Sequence, residues 1–363
     1  MLKQLAVVAT FSVLSTVNVA SADSINVVTY GGSWLKAQER AMFEPFTNET
    51  GVKVNVIPNS DYALGALRAQ VESGNVEWDV INLRPEAITQ ACDEGLLENF
   101  DIDEVLAPAP DGTPASKDFF SDFLEPCGAP QILYSIQFAY NTDKYGNNGP
   151  QTVADVFDVE RFPGTRGLQK KAFNNLEWAL IADGVDRAVV RDVLATDEGL
   201  DRAFAMMDKI KDSIVWWDKA ATGIQQIAAG EADIAANYNG RFWTASVIEG
   251  QPIQTIWDHQ IYTVTDWVVV KGRMTDDVKE FLRSTTSPEA LAEISKVISY
   301  GPARQSSVAM NTGNWINPDN GLDMTTAMPT YANNMSTAFG RDGAWWAEHG
   351  ERINERWESW LLQ

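Results

Sequence analysis

The residues that most often carry chemistry are scarce in this chain. Two cysteines, Cys92 and Cys127, and two histidines, His259 and His349, are all it has in 363 residues. Neither histidine lies near a cysteine at metal-ligand spacing. The same scarcity leaves little material for a Ser-His-Asp or Cys-His nucleophilic site. No metal and no cofactor is therefore expected, and an exported enzyme is the remote alternative to a binding protein. Gly31-Gly32 has no Lys-Ser/Thr after it, so a phosphate-cradling loop is missing. Beyond the N-terminus no apolar run is long enough to span a bilayer. Basic residues are also short. Against 50 Asp and Glu stand 28 Lys and Arg, a net charge of -22. That excludes nucleic acid, whose phosphates need cations to neutralise them, and peripheral attachment to anionic lipid.

What is present begins with the first 22 residues. Lys3 supplies a positive start, residues 5–19 are apolar or small, and Ala20-Ser21-Ala22 offers the small-x-small pattern of a cleavage site. Residues 1–22 read as a secretory signal peptide, with the mature chain starting near Asp23. In an oxidising compartment Cys92 and Cys127 are expected to form one disulfide.

The periodicity then alternates. Residues 24–30 (SINVVTY) read as a strand and 34–46 as a helix. Residues 52–57 (VKVNVI) read as a strand, 63–73 as a helix and 78–82 (WDVIN) as a strand. Ser33 is a candidate helix cap. This β-α-β-α-β rhythm indicates a mostly parallel, doubly wound sheet. Residues 101–128, rich in Pro and Asp, read as a surface excursion. Residues 131–140 (QILYSIQFAY) and 261–271 (IYTVTDWVVVK) are long apolar strands suited to cross out of one lobe and back. Helices are expected over 173–182, 187–194, 199–212 and 224–229, with a strand over 232–238. Ser287 caps a helix whose first residue is Pro288, and residues 345–361 form an aromatic-rich terminal helix. The fold class is α/β with two discontinuous lobes. One lobe takes residues 23–135 plus 265–305, the other 136–264 plus 306–363.

Sites in such sheets gather at the carboxyl ends of parallel strands. That singles out residues 31–34, 82–86 and 238–243, and the surroundings of Asp266. Arg241 offers a planar fork suited to a carboxylate, or a pair with a neighbouring acid. Asp266 sits inside an apolar run, where an ionised carboxylate is costly without a partner. That partner is a ligand cation, Arg241 or a backbone N–H. Trp34, Trp243 and Trp267 fall in or beside these loops, and aromatic faces attract ammonium groups by about 0.5–2 kcal/mol each. Arg84 either lines the cleft or caps the following helix. Tyr238 and Tyr300 reach towards the cleft. Trp216-Trp217 is open between core and cleft.

Five stretches then carry a family likeness, in order. They are VVTYGGSWLKAQERAMFEPFTNETGVKV (27–54), VEWDVINL (76–83), DEGLLENFD (93–101), IAAGEADIAANYNGRFW (227–243) and SPEALAEISKVISYGPA (287–303). Together they resemble the extracellular solute-binding proteins of ABC transporters, in the branch that includes spermidine/putrescine-binding proteins. The resemblance implies the two-lobed periplasmic-binding-protein fold with a strand hinge. It also implies a monomer in the periplasm that closes on a small amine-bearing ligand and delivers it to an inner-membrane ABC permease. Where the polyamine branch has an acidic pair, this chain has Lys171 and Asn174. Arg241 together with Asp266 looks more like the 4-aminobutyrate-binding members, in which an Arg takes the carboxylate and an Asp the amine. A polyamine or a betaine-like quaternary amine is the alternative ligand. No Tyr-Tyr pair of the iron-binding branch is present.

Overall fold

A computed structural model describes residues 24–60, 63–120 and 123–363, so the expected signal peptide lies outside the described residues. Eight strands of four or more residues build the sheet: β1 (Ser24–Val28), β2 (Lys53–Ile57), β3 (Val80–Leu83), β4 (Ala129–Asn141), β5 (Arg166–Gln169), β6 (Ile214–Trp217), β7 (Ile234–Tyr238) and β8 (Ile253–Val269). Their order across the sheet is β2-β1-β3-β8-β4-β7-β5-β6. Strand β1 pairs in parallel with β2 and β3, and β5 in parallel with β6 and β7. The parallel rhythm read from the sequence thus holds within each trio. Between the trios run the long strands β4 and β8, antiparallel to each other and to their outer neighbours β7 and β3.

These two strands tie the halves together because each is long enough to serve both. The last residues of β8 pair with β3, while its first residues pair with the end of β4. Their register shifts twice, between Pro130 and Ile132 and between Ile136 and Phe138. Proline at 130 has no N–H to donate to a ladder, which makes the first shift a natural place for irregular pairing. Apolar burial divides on either side. One cluster draws on residues 25–134 and 267–303, with Phe46, Trp267 and Phe281 at its centre. Another draws on residues 136–261 and 339–360, with Trp178, Phe204 and Trp357.

The helix Pro288–Val297 starts as its sequence dictates. Ser287 Oγ accepts from the Ala290 N–H at 3.1 Å, and the proline lies in the first turn, where its missing N–H costs nothing. The first helix differs. Gly32, not Ser33, stands at the cap position of Ser33–Gln38, with φ at 75°. A side chain there would stand 3.0 Å from Arg241 Nη1, so the glycine serves both the turn and a close approach.

Three further differences have local causes. Strand β8 begins at Ile253 rather than 261, because Gln254 and Thr255 pair with β4 although they break the apolar run. Strands β5 and β6, four residues each, were not read from the sequence. Residues 101–128 are not only a surface excursion. They hold the short helices Ile102–Val105 and Ala115–Asp118, and they bury Leu106 and Phe119 against the first core. Near their end Cys127 is bonded to Cys92, the Cα atoms 6.1 Å apart, which ties the helix Pro85–Asp93 to the start of β4.

Candidate functional site

A cavity of about 410 Å³ opens at the carboxyl ends of β1, β3, β5, β6 and β7, across the middle of β4 and β8. Each strand end delivers a side chain there because the chain turns as it leaves the sheet.

From the β1–β3 side come Tyr30, Trp34 and Arg84. Trp34 is fixed in orientation by the sheet. Its Nε1 donates to Asn82 Oδ1 at 2.9 Å, and Asn82 Nδ2 in turn donates to Thr265 Oγ1 and, at 3.0 Å, to the Asp266 carbonyl. Arg84 lies 5.4 Å over the Tyr30 ring and donates from Nη1 to Tyr238 Oη at 3.0 Å. That bond joins the first trio of strands to the second.

The crossing strands supply Ile132, Tyr134 and Thr265. Tyr134 meets Tyr238 edge-on at 5.5 Å and Tyr300 at 6.0 Å, and Tyr300 meets Trp34 at 5.6 Å. Edge-to-face contacts at these distances are the preferred aromatic geometry, worth about 0.5–1.5 kcal/mol each beyond burial. The rings form one continuous aromatic wall. Burial pushes the Tyr300 hydroxyl up to about 12, helped by Tyr238 and opposed by Arg241. Tyr300 is therefore a hydrogen-bond donor throughout the physiological range. Gly240 makes room for it: a Cβ there would stand 2.4 Å from the Tyr300 ring.

Arg241 stands on the short helix Asn239–Trp243 that follows β7. Its guanidinium crosses to the first turn, with Nη2 3.4 Å from the Gly31 carbonyl and Nη1 against Gly32. Among the described residues no acidic side chain pairs with it.

The β5–β6 side contributes Gln169, Lys171, Trp217, Asp218 and Lys219. Gln169 and Trp217 are buried register partners on adjacent strands, whereas Lys171, Asp218 and Lys219 are exposed. Trp217 is seated by the helix Ala220–Ala228, where a Cβ on Gly223 would come within 2.9 Å of the indole. Asp218 is the one acid among the described residues that line the cavity.

Of the residues singled out in the sequence, Trp34, Arg84, Tyr238, Arg241 and Tyr300 meet at this cavity. Three others do not. Asp266 is fully buried on the opposite face of β8, because side chains alternate and Thr265 takes the cavity side. Its Oδ2 occupies the space a side chain on Gly128 would fill, and neither carboxyl oxygen has a hydrogen-bond partner. Burial pushes its pKa well up, and Glu125 adds to the rise, so the site favours the neutral carboxyl. Trp267 shares the face of Thr265 but lies deeper, covered by Phe43 at 6.0 Å and Phe281 at 5.4 Å. Trp243 packs with Trp315, Met324 and Met328. Conversely, Tyr134, Thr265, Gln169, Asp218 and Lys219 were not singled out as site residues, while Trp217 stood open between core and cleft and Lys171 entered only as the position of the polyamine branch's acidic pair. The rule that found Arg84 and Arg241 applies to them equally once β5 and β6 are recognised. The visible signal was Ile-Val-Trp-Trp followed by Asp218.

The profile of the family described as bacterial extracellular solute-binding protein matches residues 41–326. The gamma-aminobutyric acid-binding protein of Pseudomonas aeruginosa is 35% identical over 347 residues, 95% of this chain and 92% of that protein. A solved GABA receptor is 31% identical with a TM-score of 0.75, covering 93% of this chain and 97% of the other. The solute-binding protein MotA of A. tumefaciens B6, solved with glucopine, is 26% identical with a TM-score of 0.80, covering 93% of this chain and 99% of the other.

Proposed function

The chain belongs to the bacterial extracellular solute-binding proteins, and we propose that its cleft captures a small amine-bearing carboxylic acid such as 4-aminobutyrate in the periplasm, as the binding component of an ABC importer. The family binds and releases its solutes unchanged. Arg241 is the observation that carries the reading. It is a half-buried guanidinium at the aromatic wall, without an acidic partner among the described residues and aimed at space. A carboxylate there gains a bidentate, charge-assisted pair. The Tyr300 hydroxyl stands in the same wall as a further donor. The faces of Trp34 and Trp217 enclose the alkyl chain and attract the ammonium. Asp218 takes the amine, the role first assigned to Asp266.

Closure follows from the same geometry. Each half of the sheet contributes part of the ligand's partners, so a solute that touches both favours the state in which they approach. The lobes are residues 23–135 plus 265–305 and 136–264 plus 306–363, with β4 and β8 as the hinge, although Ser307, Asn311 and Trp315 donate to the helix Pro288–Val297 of the first lobe. A polyamine is disfavoured by Arg241, a cation in the lining that has no acidic partner among the described residues and would repel a second ammonium.

The test is a thermal-shift comparison of 4-aminobutyrate, putrescine and glycine betaine. A ligand that binds only the folded state stabilises it by about 2.7 kcal/mol at a hundredfold excess over Kd. A shift with 4-aminobutyrate, lost in Arg241→Ala, is expected. A shift with putrescine alone would overturn the reading.

A further inference from the structure

A buried amide lines the cavity and bonds to nothing among the described residues. Gln169, the last residue of β5, is 6% exposed. Its Oε1 is closed to solvent and has no hydrogen-bond partner, and no bond holds its Nε2 end. The backbone beneath it is fixed. The Gln169 carbonyl accepts from the Lys171 N–H and from Asn175 Nδ2, both at 2.7 Å, and the Lys170 N–H donates to the Trp217 carbonyl at 3.0 Å. Other polar groups of the lining are committed: Trp34 Nε1 donates to Asn82, and Thr265 Oγ1 to the Leu83 carbonyl. Trp217 Nε1 also lacks a partner, but that edge of the indole lies against Gly223 on the following helix.

Buried polar groups are normally satisfied, and one that is not calls for an explanation. Packing alone does not need an amide here, since an apolar side chain of the same shape would fill the space without an orphaned oxygen. Position says which group it awaits. Gln169 and Trp217 are register partners on adjacent parallel strands, about 4.8 Å apart. Asp218 comes next in the chain and lines the same cavity. The amide therefore stands at the end of the cleft assigned to the amine, while Arg241 reaches across to Gly31 and Gly32 in the opposite half. A terminal amide has a broad, two-fold preference about its last bond, so its oxygen can be turned to a donor.

We propose that Gln169 Oε1 is a second acceptor for the amine of the solute, beside Asp218, so that the cleft selects amines by their N–H bonds as well as by charge. The chemical class is a carboxylic acid bearing a primary or secondary amine, which when protonated has at least two N–H groups. Tertiary and quaternary ammonium acids are rejected because they leave a buried oxygen unpaired. This rests on the proposed capture of an amine-bearing carboxylic acid and deepens it.

Isothermal titration with 4-aminobutyrate and its N-methyl, N,N-dimethyl and N,N,N-trimethyl derivatives tests it. In the wild type the first methyl is expected to change the affinity by no more than about threefold, since two N–H groups remain for two acceptors. The second methyl costs about tenfold or more, the scale of a hydrogen bond to a charged group. In Gln169→Met, its fold checked by circular dichroism, 4-aminobutyrate loses about tenfold. There the second methyl no longer costs affinity, because Asp218 alone needs one N–H, and the loss moves to the third methyl. The wild-type series decides by itself if that variant does not fold. A wild-type series that breaks at another methyl, falls evenly or does not fall overturns the acceptor role while the proposed function stands. A break at the second methyl that persists in folded Gln169→Met does the same. If none of the four compounds binds, the proposed function fails and this inference fails with it.

Discussion

The two sides of the cleft are built for different tasks. On the side of β1, β3 and the crossing strands, Trp34, Tyr134, Thr265 and Tyr300 are buried and locked by hydrogen bonds and ring contacts. Their shape exists before any ligand arrives. On the side of β5 and β6, Lys171, Asp218 and Lys219 are exposed, and Asp218 and Lys219 pair with no described side chain. Their charge finds partners when a solute does. On the proposed reading, a preset apolar wall lowers the ordering cost of binding, and a charged rim on the other half makes that binding depend on closure. Arg241 belongs by sequence to the second side and by contact to the first, which places it where the two tasks meet.

The strongest way to break this comparison is to remove that link. Arg241→Ala is expected to lose about 2–5 kcal/mol of binding, the usual cost of truncating one member of a desolvated charge pair, with little change in Tm. Calorimetry and a thermal melt on the same sample check both halves. A variant that unfolds instead would make Arg241 a structural residue of the wall. Next comes the preset side itself. Replacing Cys92 and Cys127 together by serine releases a link across 35 residues, worth about 3–4 kcal/mol of folding stability in the chain-entropy model. Denaturant unfolding should show that loss, while ligand affinity at low temperature stays within threefold. On the charged side Asp218→Asn is expected to weaken an amine-bearing acid by about 1.5–3 kcal/mol, the scale of a hydrogen bond to a charged group. It should leave the melting temperature of the free protein unchanged.

The smallest effect concerns the buried carboxyl behind the wall. The pKa of Asp266 is raised in the folded state by burial and by Glu125. The folded protein therefore holds a proton that the unfolded chain releases near pH 4. Native stability is full below that pH and declines as pH rises through the folded pKa. Asp266→Asn removes this dependence, so its Tm should exceed that of the wild type at neutral pH and approach it towards about pH 4. Parallel melts across that range measure the difference. A gap that widens on acidification would contradict a neutral buried carboxyl.

What the sequence revealed of this site follows the same division. Residues 24–83 were legible because the strands are closed by Gly31-Gly32, Pro58 and Arg84 and each helix shows its apolar face. Trp34 and Arg84 came with them. Arg241 was legible because Asn239-Gly240-Arg241 directly follows a strand. Strands β5 and β6 were not, because four residues such as Arg-Gly-Leu-Gln are too few to show a period, and Asp218 and Lys219 were lost with them; Lys171 entered only through the family likeness. Asp266 was placed on the right strand but on the wrong face. A one-residue difference in parity exchanges the two faces of a strand, and parity in an uninterrupted apolar run is set by pairing with β3 and β4, which the run itself does not display. Trp267 failed for a related reason, since depth along a strand depends on which helix covers it.

Calorimetric titration of the ligand-stripped wild-type protein with 4-aminobutyrate, repeated in Asp218→Asn and Asp266→Asn, tests the central claim most directly. The account predicts saturable binding in the wild type, a loss of tenfold or more in Asp218→Asn, and an affinity within threefold of wild type in folded Asp266→Asn. Unchanged binding in Asp218→Asn together with lost binding in folded Asp266→Asn would contradict it, and would put the amine on the far face of β8.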